Sequence, residues 1–185
     1  MGVLISMSPR AAAVRLVLGT VAVLAITLAT VPAHAQGRLD ESEVKAAFLY
    51  NLAKFVQWPP SADRSDQLLV GVIGNDLFGN VLTRVVWGKR VQGRKIVVRQ
   101  LRPDEDLRMY HIVFVGALAT RHSADILLRV QAAGVLTVGE APDFIHEGGH
   151  VRFYSENYKV RIQIDAAGAE QAGLKISSQL LSLSR

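Results

Sequence analysis

His146-Glu147-Gly148-Gly149-His150 is the stretch whose residue types and spacing match a metal-dependent hydrolase. In zinc peptidases an HExxH helix turns two imidazoles to one face as ligands and sets the glutamate beside the metal-bound water as base. Here both middle positions are glycine, which together cost about 2 kcal/mol of helix propensity. Val151 to Ser155 then alternates as a strand does, and a glycine pair ahead of such a run marks a turn. The match of His146, Glu147 and His150 is read as coincidental, and no metal is expected there.

The other chemical signals are weaker. Gly71-Val72-Ile73-Gly74-Asn75-Asp76-Leu77-Phe78-Gly79 leads from a strand to a helix, as a phosphate loop does. Its spacing is neither GxGxxG nor GxxxxGK[ST]. It reads as a tight turn with an Asn/Asp cap, although a helix N-terminus can also hold an anion. No G-x-S-x-G elbow supports a serine nucleophile. Asp104, Glu105 and Asp106 share one loop, which suits a solvated acidic turn better than an acid–base pair. His111 and His122 read as structural or exposed. With no cysteine, thiolate metal sites, thiol redox chemistry and a lipid-acylated N-terminus are excluded. No catalytic residue and no cofactor is assigned, and the chain is not expected to be an enzyme.

The element best placed for recognition is Glu43 to Pro59, EVKAAFLYNLAKFVQWP. At ~100° per residue, Ala47, Phe48, Leu52, Phe55 and Trp58 fall within about 80° of Val44, which predicts an amphipathic helix. Pro59 should end it near Trp58. Asn51 falls inside the apolar arc, so it is either a hydrogen-bonded core amide or a polar contact in a partner or ligand groove. Tyr50, Asn51, Lys54 and Trp58 are the candidate partner-binding residues.

Ahead of this helix lies an export signal. Arg10 and Arg15 precede the apolar run Leu16 to Val31, and Ala33-His34-Ala35 satisfies the small-x-small rule, predicting cleavage after Ala35. The run of about 16 residues is short for a bilayer span. The expected division is a signal peptide over 1–35 and one periplasmic domain over 36–185. The formal net charge of +5 is mild, and export argues against nucleic acid. The dense basic stretch is Lys89, Arg90, Arg94, Lys95 and Arg99. It reads as a solvated loop and strand edge, or as a patch for an acidic partner, an anionic wall or a lipid surface.

Downstream, Leu68–Ile73, Ile112–Val115 and Val135–Val138 are short continuous apolar runs, the pattern of strands covered on both faces. Lys95–Leu101 alternates as a strand. Leu77–Val86 and Arg121–Ala133 read as helices, the latter with Ile126, Leu127 and Val130 inward. His150–Ser155 and Lys159–Ile164 form a hairpin about Glu156-Asn157. Ala166–Gly173 and Ser177–Leu183 read as short helical pieces. This order implies a single α/β domain of Rossmann-like type, with a mixed, mostly parallel sheet, helices on both faces and a late β-hairpin. A small-molecule sensor would use the crevice at the carboxyl ends of the strands, near Asn75, Asp76, Gly116, Gly139 and Glu140. Asn75, Asp76 and Glu140 are its candidate ligand residues.

Six blocks in this order resemble the YfiR family: Val44–Pro59, Gly71–Gly79, His111–Val115, Val135–Glu140, Phe144–Phe153 and Ala172–Leu181. The resemblance implies a non-catalytic, homodimeric periplasmic regulator. Its namesake restrains an inner-membrane diguanylate cyclase by binding that enzyme's periplasmic sensor region, and an outer-membrane lipoprotein sequesters it. The resemblance also places Gly148-Gly149 in a turn before a late strand. Family members commonly carry cysteine pairs that this chain lacks, so disulfide stability and redox control are not expected here.

Overall fold

A computed structural model describes residues 33–60 and 66–182, with side-chain surroundings from residue 41 onward. The apolar leader run lies outside the described residues, as do the side chains of Ala33 to Ala35. Residues Arg38–Arg185 form one compact unit. Among the described residues no helix is long and apolar enough to cross a membrane.

Helix α1 (Ala33–Phe55) leads through β1 (Val56–Gln57) to β2 (Gln67–Ile73), α2 (Asp76–Val86), β3 (Arg90–Val91), β4 (Arg94–Leu101) and β5 (Ile112–Val115). A 3-10 turn (Ala117–His122) opens α3 (Ser123–Val130), followed by β6 (Leu136–Gly139), β7 (Val151–Glu156) and β8 (Lys159–Ile164). The chain closes with α4 (Ala166–Gln171), β9 (Lys175–Ile176) and α5 (Ser178–Leu181). Seven strands form one sheet in the order β3-β4-β2-β5-β6-β7-β8. The pairs from β4 to β7 are parallel, and β3 and β8 close the edges antiparallel.

Strand periodicity divides the interior in two. On β5, Ile112 and Phe114 enter one core with Ala46, Leu49 and Leu52 of α1 and Phe78 and Leu82 of α2. Val113 and Val115 enter the other, with Ile126, Leu127 and Val130 of α3. That is why IVFV is buried at every position and shows no alternation. The mixed α/β sheet with helices on both faces and a late hairpin is as expected.

Several boundaries and one helix face differ from expectation. Helix α1 ends at Phe55, because Val56–Gln57 pairs antiparallel with Lys175–Ile176 in a separate two-stranded ladder. The buried face of α1 carries Ala46, Leu49, Leu52 and Ala53, while Val44 and Ala47 are exposed. Its centre lies roughly 140° round the helix from Val44 at ~100° per residue. The helix is apolar on nearly every side, so large aromatics are a poor guide to orientation; alanines 46 and 53 let it lie close on the sheet. Asn51 is accordingly half-buried on the side of the helix nearly opposite the packed face, rather than within it. The span Arg121–Ala133 divides into a 3-10 turn and a two-turn helix ending at Val130. The hairpin turns at Asn157-Tyr158, one residue later than expected, with φ of 51° and 60°. Two positive φ angles in a row give the turn a twist that matches its strands.

Candidate partner-binding face

Beyond β1 the chain is bolted to the sheet by Trp58. Its indole Nε1–H donates to the carbonyl of His111 at 2.9 Å, and its ring meets the His111 imidazole edge-on at 5.7 Å. His111 is buried, and its Nδ1 accepts the N–H of Leu69 at 3.1 Å. The Arg94 guanidinium lies 5.8 Å over the Trp58 ring, with Nη1 3.2 Å from His111 Nε2. Arg94 also donates to Gln92 Oε1 at 2.9 Å, and Gln92 donates to the carbonyl of Val56 at 3.1 Å. The β3–β4 hairpin is therefore fastened to the end of α1.

This fastening brings two separate features of the sequence together. The Tyr50 ring faces the ammonium of Lys89 at 4.6 Å and that of Lys54 at 5.6 Å. Tyr50 and Asn51 are half-buried, and Lys54 and Lys89 are exposed. Such an aromatic ring flanked by cations offers apolar area and positive charge at one spot, which suits a protein partner bearing carboxylates. Of the four residues singled out in the sequence, Tyr50, Asn51 and Lys54 lie at this face, and Trp58 holds its base. Periodicity gave no sign of Lys89, Arg94 and His111 here, because their link to α1 depends on how a hairpin packs on a helix.

The residues proposed for a crevice are held within the chain. Asn75 caps α2, its Oδ1 accepting the Phe78 N–H at 3.1 Å. Asp76 Oδ1 accepts from Gln100 Nε2 at 2.6 Å. Glu140 accepts from Lys45 Nζ at 2.6 Å and from the Ala117 N–H at 3.0 Å. The turns around Gly74 and Gly116 press together: a Cβ on Gly116 would meet that of Asn75 at 2.6 Å.

Residues 142–148 are a run of turns, with Gly148 at φ +96°. His146 is exposed, and Glu147 accepts a hydrogen bond from Ser123 Oγ. His150 is buried, its Nδ1 3.2 Å from the Thr137 amide nitrogen that donates to it and 3.1 Å from Thr137 Oγ1. Burial lowers the basicity of this imidazole, against the opposing charge of Asp165 and a hydrogen bond with the Val135 backbone. Among the described residues no three His, Asp or Glu side chains are grouped to hold a metal ion.

A family model described as YfiR/HmsC-like matches residues 42–185. Among solved structures, the chain is similar to a conserved domain protein from Vibrio cholerae O1 biovar El Tor strain N16961. The TM-score is 0.56 at 11% identity, over 77% of this chain and 58% of that one. That likeness shows the fold alone, and the match spans less than two thirds of that chain's length. No curated protein matches.

Proposed function

Because this chain belongs to the YfiR/HmsC-like family, we propose that it binds the periplasmic region of an inner-membrane diguanylate cyclase and lowers that enzyme's output. The family comprises periplasmic regulators of cyclic-di-GMP signalling that are generally non-catalytic, and its match over residues 42–185 carries the reading. The face formed by Tyr50, Asn51 and Lys54 with Lys89 supplies the contact, and Trp58 keeps it in register with the sheet. The regulator is a homodimer, and an outer-membrane lipoprotein relieves it by sequestration. It is exported by its N-terminal signal and begins at Gln36; N-terminal sequencing of the secreted protein checks that point.

The deciding experiment is affinity capture from a detergent-solubilised envelope, paired with a gene deletion. A diguanylate cyclase should co-purify, and deletion should raise cellular cyclic-di-GMP and adhesion. Unchanged cyclic-di-GMP together with no captured membrane protein would sink the proposal.

A further inference from the structure

The two edges of the seven-stranded sheet are unequal. At one edge β3 is two residues long; at the other β8 runs for six, with no strand beyond it among the described residues. An edge of that length is a template for a further strand.

The pairing of β8 with β7 fixes which of its backbone groups face outward. Glu156 and Lys159 close the two-residue turn, and in the same register the Asp165 N–H donates to the His150 carbonyl at 2.8 Å. Hydrogen-bonded and non-hydrogen-bonded pairs alternate along an antiparallel ladder, so Lys159, Arg161, Gln163 and Asp165 direct their N–H and C=O groups to β7. Val160, Ile162 and Ile164 turn theirs outward. Side chains alternate as well. Ile162 and Ile164 lie on the α1 side, in the first core, while Lys159, Arg161 and Gln163 stand exposed on the other face. Val160 and Ile164 are only half-buried, so the outermost apolar row is incompletely covered.

We infer that β8 pairs antiparallel with β8 of a second copy, about a two-fold axis at Ile162, so that two sheets run on as one. With Ile162 opposite its own counterpart, Val160 meets Ile164 of the second copy on either side, and every outward N–H and C=O of β8 is paired. The same pairs carry the apolar row across the axis and cover Val160 and Ile164. On the other face this register sets Lys159 against Asp165 and Arg161 against Gln163 of the second copy, an attractive ion pair and a neutral one. Asp165 is still extended, at φ −92° and ψ 93°. An axis at Arg161 would instead oppose two arginines, which destabilises a ladder. An axis at Gln163 would set Val160 against Ala166, where α4 has begun. The inference rests on the homodimer proposed above and gives it a surface. That surface lies at the opposite edge of the sheet from β3, next to Lys89, so one copy can make both the dimer and the cyclase contact.

The chain has no cysteine, which makes cross-linking specific. Arg161→Cys combined with Gln163→Cys should give the secreted protein a reducible dimer, because these positions form a non-hydrogen-bonded pair with Cα atoms about 4.5 Å apart, within disulfide reach. Either substitution alone should not, since identical positions lie diagonally, about 7–8 Å apart. In sedimentation equilibrium Gln163→Glu, facing Arg161 twice per dimer, should tighten association about fivefold, and Gln163→Arg should weaken it by a similar factor. Gln163 is exposed, so circular dichroism should not change. A monomer at every concentration, no cross-link in the double variant, equal cross-linking by the single variants, or a dimer unmoved by Gln163→Arg would each overturn the inference. A monomer that adds a strand of another protein at this edge would do so too. A chain that dimerises as described yet captures no cyclase would leave this interface standing and refute the regulatory reading alone.

Discussion

Lys45 and Glu140, 95 positions apart, meet at 2.6 Å where α1 crosses the carboxyl end of β6. Each side chain is little exposed, at 14% and 13%. The other carboxylate oxygen of Glu140 accepts the Ala117 N–H, so one side chain ties helix, strand and 3-10 turn together. Burial by itself lowers the affinity of Lys45 for its proton; hydrogen bonds and charge from Glu140 and Glu41 outweigh that and raise it.

Lys45→Met and Glu140→Gln should each lower unfolding stability by about 2 kcal/mol, as for other hydrogen bonds to charged groups. The double variant should lose less than the sum, and urea titration of the four proteins measures this coupling. Because the folded lysine holds its proton more tightly than the unfolded one, this contribution is fully present below pH 10.5 and is lost only as pH rises through the folded value. Strict additivity would show that the two residues do not act as a pair.

His150 gives the opposite pH dependence. Its folded form takes up a proton less readily than an unfolded histidine, whose ordinary value is about 6.5. Its contribution is therefore complete above that value and falls as pH drops from about 6.5 towards the lowered folded value. His150→Asn keeps an acceptor for the Thr137 N–H but cannot be protonated. Thermal melts between neutral and mildly acidic pH should fall less steeply for this variant than for the natural chain. Parallel curves would remove His150 from the account.

Trp58→Phe removes the hydrogen bond to His111 and weakens the stack under Arg94. We expect a loss of about 1–2 kcal/mol in stability. Weaker partner capture by this variant should be recovered in proportion to its folded fraction. A Trp58→Phe protein that melts normally and still fails to bind would instead place the indole in the contact itself.

Tyr50→Ala and Asn51→Ala are the direct probes of the proposed interface. Both residues are half-buried on α1, away from the centre of its packed face. Each should weaken cyclase capture, with truncation of the tyrosine costing about 2 kcal/mol of binding if it lies near the centre of the contact. Circular dichroism should remain at the natural level. Full-strength capture by both variants would move the interface elsewhere.

The sequence alone determined most of the local structure. Continuous apolar runs at 68–73 and 112–115 placed two central strands, and Asn75 announced a helix cap that the structure confirms at 3.1 Å. Gly148-Gly149 ruled out a helix through the HExxH letters, since backbone preferences act over a few residues. The face that α1 buries was beyond the reach of periodicity, because a helix apolar on nearly every side has no single stripe to read. Lys45 meeting Glu140, Trp58 meeting His111 and Lys89 meeting Tyr50 join residues 95, 53 and 39 positions apart. Nothing local in a chain encodes which distant side chains become neighbours. That was decided by the crossing of α1 over a parallel sheet, and by small alanines that let the helix settle against it.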